Sequence, residues 1–297
     1  MNEAREAEFA RHRGLVFTIA YDLTGSVDDA EDVAHDVFER WVAIDEEIVD
    51  ARAYLARMAT NRALDTVTSA SRTRVDYVGP WLPEPLRTAG GAELPTAAAV
   101  EAGDPGDRAV RRDAVSAALL VVLQSLGERE RAVFVLHDVF GFEFGEIAAM
   151  LETSEASARQ TGHRARSHVR ARRERFHVDR REHADVVARF LAAAESGDLD
   201  ALLDTLAPDA TLTSDGGGKA SAATRPVRGA DRVARFIAGL VRQYGDEERV
   251  ETAELGGALG LVTWRGEVIT STFQFVIDAG RIHDLYVMRN PDKLQRL

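Results

Sequence analysis

The sequence predicts a multidomain chain, two all-α domains followed by an α+β cone in which a curved sheet folds around helices. Three observations predict it. Apolar residues recur at helical spacing through the first part of the chain and again from Val115 onward. A stretch dense in proline and glycine separates these two segments. Beyond residue 179, helical patterns give way to runs with two-residue alternation. The expected domains are 1–72, 108–176 and 179–297, with a linker over 73–107.

Composition sets outer bounds. A chain of 297 residues with 45% hydrophobic content can bury a sizeable core in two or three domains. Its net charge of -12 argues against indiscriminate affinity for nucleic acid or membrane, although a local basic face can still bind DNA. The absence of cysteine excludes disulfides and thiolate metal sites. With no apolar signal region at the start and no run of about 18 apolar residues, the expected location is the cytoplasm, with no membrane partner.

In the first domain, Ala30, Val33, Ala34, Val37, Phe38, Trp41 and Val42 form an apolar stripe, and Asp28, Asp29, Glu31, Asp32, Asp36 and Glu39 fill the other face. Ser26 with Asp29 three residues on resembles a capping box that starts this helix. A second helix, roughly 52 to 68, turns Leu55, Met58, Ala59 and Ala63 inward and leaves Arg57, Asn61, Arg62 and Asp65 for polar work. Asn and Arg on an outer helix face can read base edges or hold phosphates; the competing reading is a solvated surface.

Five of the eight prolines (Pro80, Pro83, Pro85, Pro95 and Pro105) fall in the linker, so no continuous helix or sheet is expected there. Within it, Trp81-Leu82-Pro83-Glu84-Pro85 is a stiff, extended, apolar segment that water would solvate poorly, and it is expected to dock on a surface.

Helical spacing returns at Val115, Leu119, Val122, Leu123 and Leu126 and continues through Val133, Phe134, Leu136 and Val139. A helix-turn-helix follows: Glu143–Leu151, a break at Glu152-Thr153-Ser154 with Ser154 as N-cap, and a helix from Glu155 to about Phe176. Ala158, Gly162, Ala165 and Val169 give the second helix a small, closely packing face. It also carries Arg159, Arg164, Arg166, Arg170, Arg172, Arg173 and Arg175 against only Glu155 and Glu174. A basic helix of this kind suits the major groove, with Ser157, Arg159, Gln160, Arg164 and Arg166 as the candidate contacts to bases and phosphates; the competing reading is an Arg-rich helix that solvates a domain surface. Thr153 stands in the turn, where a glycine often eases the bend.

After residue 179, Val186–Leu191, Leu199–Leu206 and Val233–Val241 carry helical patterns. Strands are expected at 259–265, 272–277 and 282–288, the last two joined by a turn at Asp278-Ala-Gly-Arg281. Helices followed by a strand meander give the α+β cone, with a pocket inside. His283 alternates with apolar neighbours in the last of these strands and reads as a structural or pocket-lining histidine. His35, His163 and His168 lack ligand spacing, so no metal site is assigned.

The stretches Asp28–Trp41, Ala53–Asp65 and Ser125–Arg131, in this order before the helix-turn-helix, resemble regions two and four of an extracytoplasmic-function sigma factor, the promoter-recognition subunit of bacterial RNA polymerase. The part beyond 179 resembles SnoaL-like domains of the nuclear-transport-factor-two-like superfamily; because relatives there move a proton beside a carbonyl with a pocket carboxylate, the resemblance offers Asp215, His283 and Asp284 as proton-transfer candidates, with Trp264 and Tyr286 as pocket walls. Trp81–Pro85, Asp215-Gly216-Gly217-Gly218-Lys219 and Asn290-Pro291-Asp292-Lys293-Leu294 look like the signature of the sigma-factor group with that extension.

The resemblance implies core RNA polymerase and promoter DNA as partners, and no enzyme activity or cofactor. It places Asp29, Asp32, Asp36, Glu39 and Trp41 on the polymerase, and Arg57, Asn61 and Arg62 beside the melted downstream promoter element. Arg52, Arg57 and Arg62 would supply the positive path that capture of a single strand needs. The helix from Glu155 would read the upstream element, although Ala156 and Ser157 stand where Gly and Thr are commoner. The extension is implied to regulate the factor from within: the triple glycine permits a tight loop, and Lys219 and Lys293 offer cations to carboxylates such as Glu84. An alternative stays open, in which the SnoaL-like part is a small-molecule sensor or isomerase-like enzyme fused to a DNA-binding regulator, with an unknown ligand in the cone pocket.

Overall fold

The computed structural model describes residues 2–73, 77–87, 117–173, 180–245 and 247–297. Pro95, Pro105, Val115, Glu174, Arg175 and Phe176 lie outside the described residues, as do the side chains of Arg172 and Arg173. Contacts divide the chain into two compact units, one holding 2–73 with 120–171 and the other 77–87 with 180–297. Among the described residues no helix is long and apolar enough to cross a membrane.

The first unit opens with α1 (Asn2–Thr24), α2 (Val27–Val42) and α3 (Ala51–Thr73). Ser26 caps α2, its hydroxyl accepting from the Asp29 amide at 3.3 Å. The apolar stripe read from the sequence, from Ala30 through Trp41, is the buried face of α2. Next come α4 (Ala117–Gln124), α5 (Glu128–Phe134), a π-helical turn (Val135–Val139), α6 (Phe144–Met150) and α7 (Glu155–Arg173).

Ser154 caps α7 by accepting from the Ser157 amide at 3.2 Å. The sharp bend before it is taken by Glu152, whose φ of 51° is left-handed, so the strained position is one residue before Thr153. Small residues do let α7 approach closely: a Cβ on Gly162 would meet the Phe144 ring at 2.9 Å and Val133 at 3.3 Å.

Within this unit, two arginines join α1 and α3 to the helix-turn-helix half. The buried guanidinium of Arg131 donates to the carbonyls of Leu23 (2.6 Å), Leu123 (3.0 Å) and Gln124 (3.3 Å), a use that its planar fork of donors suits. Arg52 donates to the Phe140 carbonyl at 2.8 Å and lies 4.2 Å from the Phe142 ring centre.

The second unit contains α8 (Arg180–Ser196), α9 (Leu199–Thr205), β1 (Leu206–Asp215), β2 (Val227–Arg228) and α10 (Ala230–Tyr244), then β3 (Arg249–Leu255), β4 (Ala258–Arg265), β5 (Val268–Asp278), β6 (Arg281–Met288) and a 3-10 turn (Pro291–Lys293). The sheet order is β2-β1-β6-β5-β4-β3, with β1 parallel to β6 and the other pairs antiparallel. The simple picture of helices followed by a meander is therefore corrected: β1 and β2 precede α10, and β1 lies beside the last strand. Leu206 opens β1 and does not continue a helix. The β5–β6 turn is where the sequence put it, with Ala279 (φ 47°) and Gly280 (φ 71°) both left-handed, as a two-residue hairpin needs.

Two-residue alternation sorts the sheet into two faces. Leu261, Phe275, Ile277, Leu285 and Val287 pack with Phe190, Leu202 and Ile237 of the helices. Val262, Thr272, Val276 and Met288 alternate with them and are also buried, yet fall outside that cluster. The segment 77–87 meets this sheet at Trp264 of β4 and at the end of β3. The Arg87 guanidinium lies 5.9 Å from the Trp264 ring centre, Arg87 forms a bridge to Leu255, and the Leu86 carbonyl accepts from Gly256 at 2.8 Å.

Candidate functional site

The three motifs in the second unit converge on one carboxylate. Asp215 ends β1, fully buried, and each of its oxygens takes two donors. Oδ1 accepts from the Tyr77 hydroxyl (2.5 Å) and the Gly217 amide (3.0 Å). Oδ2 accepts from the Leu82 amide (2.9 Å) and Lys293 Nζ (2.8 Å). Its backbone carbonyl takes the amides of Arg289 (2.7 Å) and Asn290 (2.9 Å).

Lys293 closes the arrangement from the other side. Its side chain is 8% exposed and Asp215's is 0% exposed, so the ion pair is buried. Nζ also donates to the Leu82 carbonyl at 2.7 Å and stands 4.0 Å from the Trp81 ring centre. Leu82 is thus held at both its amide and its carbonyl, and Leu82, Pro83 and Pro85 are buried. Removing one partner of such a pair costs about 3–5 kcal/mol, because the remaining charge stays buried.

The other motif residues frame this pair. Asn290 Oδ1 accepts from the Asp292 amide (3.1 Å), capping the 3-10 turn that begins with Pro291, and Nδ2 reaches the Tyr77 hydroxyl (3.0 Å). Leu294 is buried, and Lys219 pairs with Asp292 at 2.6 Å on the surface. The triple glycine is a packing requirement. A Cβ on Gly216 would overlap the Ala220 carbonyl, one on Gly217 the Asn290 side chain, and one on Gly218 would press on Val78 at 3.2 Å. Gly217 (φ 57°) and Gly218 (φ 73°) are also left-handed. Burial, and then the bond to Asp215, raise the Tyr77 pKa well above the ordinary phenol value, so the hydroxyl stays a donor.

Sequence reasoning named carboxylates such as Glu84 for the two lysines and offered Asp215 for proton transfer; the structure pairs Lys293 with Asp215 and Lys219 with Asp292. Tyr77 it missed altogether. Its partners lie 138 and 213 positions away, and it belongs to no motif.

A separate cleft of about 490 Å3 lies between α8, α10 and the sheet. Its lining includes Leu191, Leu240, Phe273, Thr263, Ser271 and Arg289, and none of Asp215, His283, Asp284, Trp264 or Tyr286. The proton-transfer constellation is corrected accordingly: Asp215 is held by the linker segment, and His283 Nδ1 faces the Asp209 carboxylate at 3.4 Å.

In the first unit, Arg57, Asn61 and Arg62 line a groove of about 230 Å3 with Tyr54, Met58 and Asp36. Arg62 pairs with Asp36, which joins a candidate DNA contact to a candidate polymerase contact. Arg57 lies 3.6 Å from Glu152 in the helix-turn-helix bend, and Arg52 is tied to Phe140 as described. Asp32 and Glu39 are exposed on α2, and Asp29 is half-buried. Trp41 is a correction: it is buried, its Nε1 donates to the Arg5 carbonyl at 2.8 Å, and Arg5 covers its ring at 4.4 Å, so it offers no face to a partner.

On α7, Ser157, Arg159, Gln160 and Arg164 are exposed. Arg159 reaches Glu155 (3.2 Å) and Arg164 reaches Glu130 (3.2 Å), contacts of the exposed kind worth about 0–1 kcal/mol. Arg166 is less open, donating to both oxygens of Asp138 at 2.8 and 3.1 Å and tying α7 to the π-helical turn.

Known families match all three parts of the chain: sigma-70 region 2 over 9–73, sigma-70 region 4 over 116–169, and a SnoaL-like domain over 187–292. The chain is 40% identical to the Mycobacterium tuberculosis ECF RNA polymerase sigma factor SigJ, over 97% of this chain and 92% of that protein. It is 30% identical to the probable ECF RNA polymerase sigma factor SigI of the same species, over 98% of this chain and 95% of that one. The crystal structure of M. tuberculosis SigJ matches with a TM-score of 0.75 at 38% identity, covering 96% of each chain.

Proposed function

The chain belongs to the extracytoplasmic-function RNA polymerase sigma factors, and from that premise we propose that it binds core RNA polymerase in the cytoplasm, reads promoter DNA with its helical unit, and is modulated by its own SnoaL-like domain. The observation that carries the modulation is the clamp on Leu82. The segment connecting the two sigma regions is fastened through Asp215 and Lys293 to the C-terminal domain. Fastening or releasing it changes how freely the two regions can be placed.

Promoter reading falls to two surfaces. The groove with Arg57, Asn61 and Arg62 has the size for an unstacked base, with Val37, Tyr54 and Met58 as its apolar wall and its arginines set against Asp36 and Asp65. The exposed start of α7, with Ser157, Arg159, Gln160 and Arg164, presents donors to a duplex groove, and Arg166 supports them. Asp29, Asp32, Asp36 and Glu39 serve the polymerase. Because Arg57 pairs with Glu152 and Arg62 with Asp36, DNA entry exchanges these carboxylates for phosphates.

The test is run-off transcription with purified core polymerase, comparing the full chain with Lys293→Ala. We expect wild-type transcripts and a change of roughly tenfold in yield for the variant, the effect of about 1.4 kcal/mol on a two-state equilibrium. Absence of core binding by the wild type removes the sigma role. Identical yields from both proteins remove the modulation.

A further inference from the structure

We propose that the cleft between α8, α10 and the sheet binds an amphipathic carboxylate, with Arg289 as its counter-ion, and that the Asp215 clamp senses its occupancy. The volume, about 490 Å3, falls within the range of about 300–1,000 Å3 typical of small-molecule sites. Leu191, Ile237, Leu240, Val241 and Phe273 supply an apolar wall.

The charges at the cleft single out Arg289. Glu248 pairs with Arg265, Arg249 pairs with Glu251, and the Glu195 side chain is exposed to water. Arg289 donates Nη1 to the Ser221 carbonyl at 2.8 Å and lies 4.9 Å from the Tyr244 ring centre. Among the described residues it has no carboxylate partner, and its buried Nε has no hydrogen-bond acceptor. A buried donor without a partner is costly, and a carboxylate satisfies it with a charge-assisted bond. An apolar body with one acidic group is therefore the ligand chemistry that the walls and this cation favour together.

Chain continuity carries the signal. The Arg289 amide donates to the Asp215 carbonyl at 2.7 Å, and Asn290, its neighbour, holds both that carbonyl and Tyr77. Any shift of Arg289 toward a ligand displaces the residues that fasten the linker segment. This coupling rests on the reading of the clamp given above; the binding does not.

Decanoate and decan-1-ol serve as probes on the full chain, with binding measured by calorimetry and hydrogen exchange followed in residues 77–87. Decanoate should bind at one site at least tenfold more tightly than the alcohol. Arg289→Gln should erase that preference and Arg289→Lys retain part of it. Occupancy should change exchange in 77–87 at least threefold. Should Arg289→Gln fail to fold, Leu240→Trp, which fills the cleft away from the clamp, must abolish decanoate binding. No decanoate binding, equal affinity for acid and alcohol, or a preference that survives Arg289→Gln or a filled cleft overturns the site. Binding with unchanged exchange in 77–87 overturns the coupling. None of these outcomes alters the transcription expected of Lys293→Ala, so the two readings fail separately.

Discussion

The recognition helix and the Asp215 clamp use the same chemistry, a basic side chain against a carboxylate, to opposite ends. On α7 the Arg159–Glu155 pair is open, with side chains 64% and 51% exposed, while Asp215 and Lys293 are 0% and 8% exposed. Water and salt screen the first pair, so its arginine can trade a glutamate for a phosphate at little cost. The second pair has no such exchange, and each of its atoms is committed to a defined neighbour. Burial decides which ion pairs can serve as a reading head and which as a fastening.

That contrast is broken or sharpened by substitution. The largest effect is expected of Lys293→Ala, which strands the Asp215 charge and should destabilise the second unit by about 3–5 kcal/mol, read from denaturant unfolding followed by hydrogen exchange in 180–297. A loss below about 1 kcal/mol would make this pair no different from a surface pair.

Tyr77→Phe comes next, removing one bond to a charged acceptor worth about 1.5–3 kcal/mol. Because the folded protein holds the Tyr77 proton more tightly than the unfolded chain does, this contribution is complete below the ordinary tyrosine pKa of about 10 and fades as pH rises through the raised value. The gap in stability between wild type and Tyr77→Phe should therefore close in alkali; a gap that widens would contradict the assigned donor.

Gly217→Ala follows, at about 1–3 kcal/mol for a left-handed residue pressed on Asn290. The smallest effect on stability belongs to Arg159→Ala, within about 1 kcal/mol. Its effect on promoter binding should be clear all the same: if it holds a phosphate, the slope of log affinity against log salt falls by about 0.9. Unchanged affinity, salt slope and sequence preference would move the reading surface elsewhere.

Much of the fold is legible from periodicity alone, and the failures have physical causes. The apolar stripes of α2 and α7 are read directly, because each helix buries one face. β1 is not, since Leu199, Leu202, Leu203 and Leu206 continue a helical spacing into it, Pro208 interrupts it, and its register shifts between Leu206 and Thr211. β3 is missed because it is the last strand of the order and carries Arg249, Glu251 and Glu254. Trp41 sat in the very stripe that placed it inside, so naming it a polymerase contact overrode its own periodicity.

At the clamp, the sequence names the three motifs but leaves their mutual geometry unseen. Asp215 reads as a pocket carboxylate until β1 brings it to Tyr77, Leu82 and Lys293. A tyrosine in an irregular segment carries no local signal that a carboxylate 138 residues away will take its proton donor.

The most direct measurement of the central claim is native-state hydrogen exchange at the Leu82 amide in the full-length chain. That amide donates to Asp215 Oδ2 in a buried setting, so its exchange should be slow in the wild type and faster by at least a hundredfold in Lys293→Ala, the ratio that about 2.7 kcal/mol of lost protection gives. A Leu82 amide that exchanges in the wild type as fast as an open segment, or at one rate in both proteins, would contradict the account.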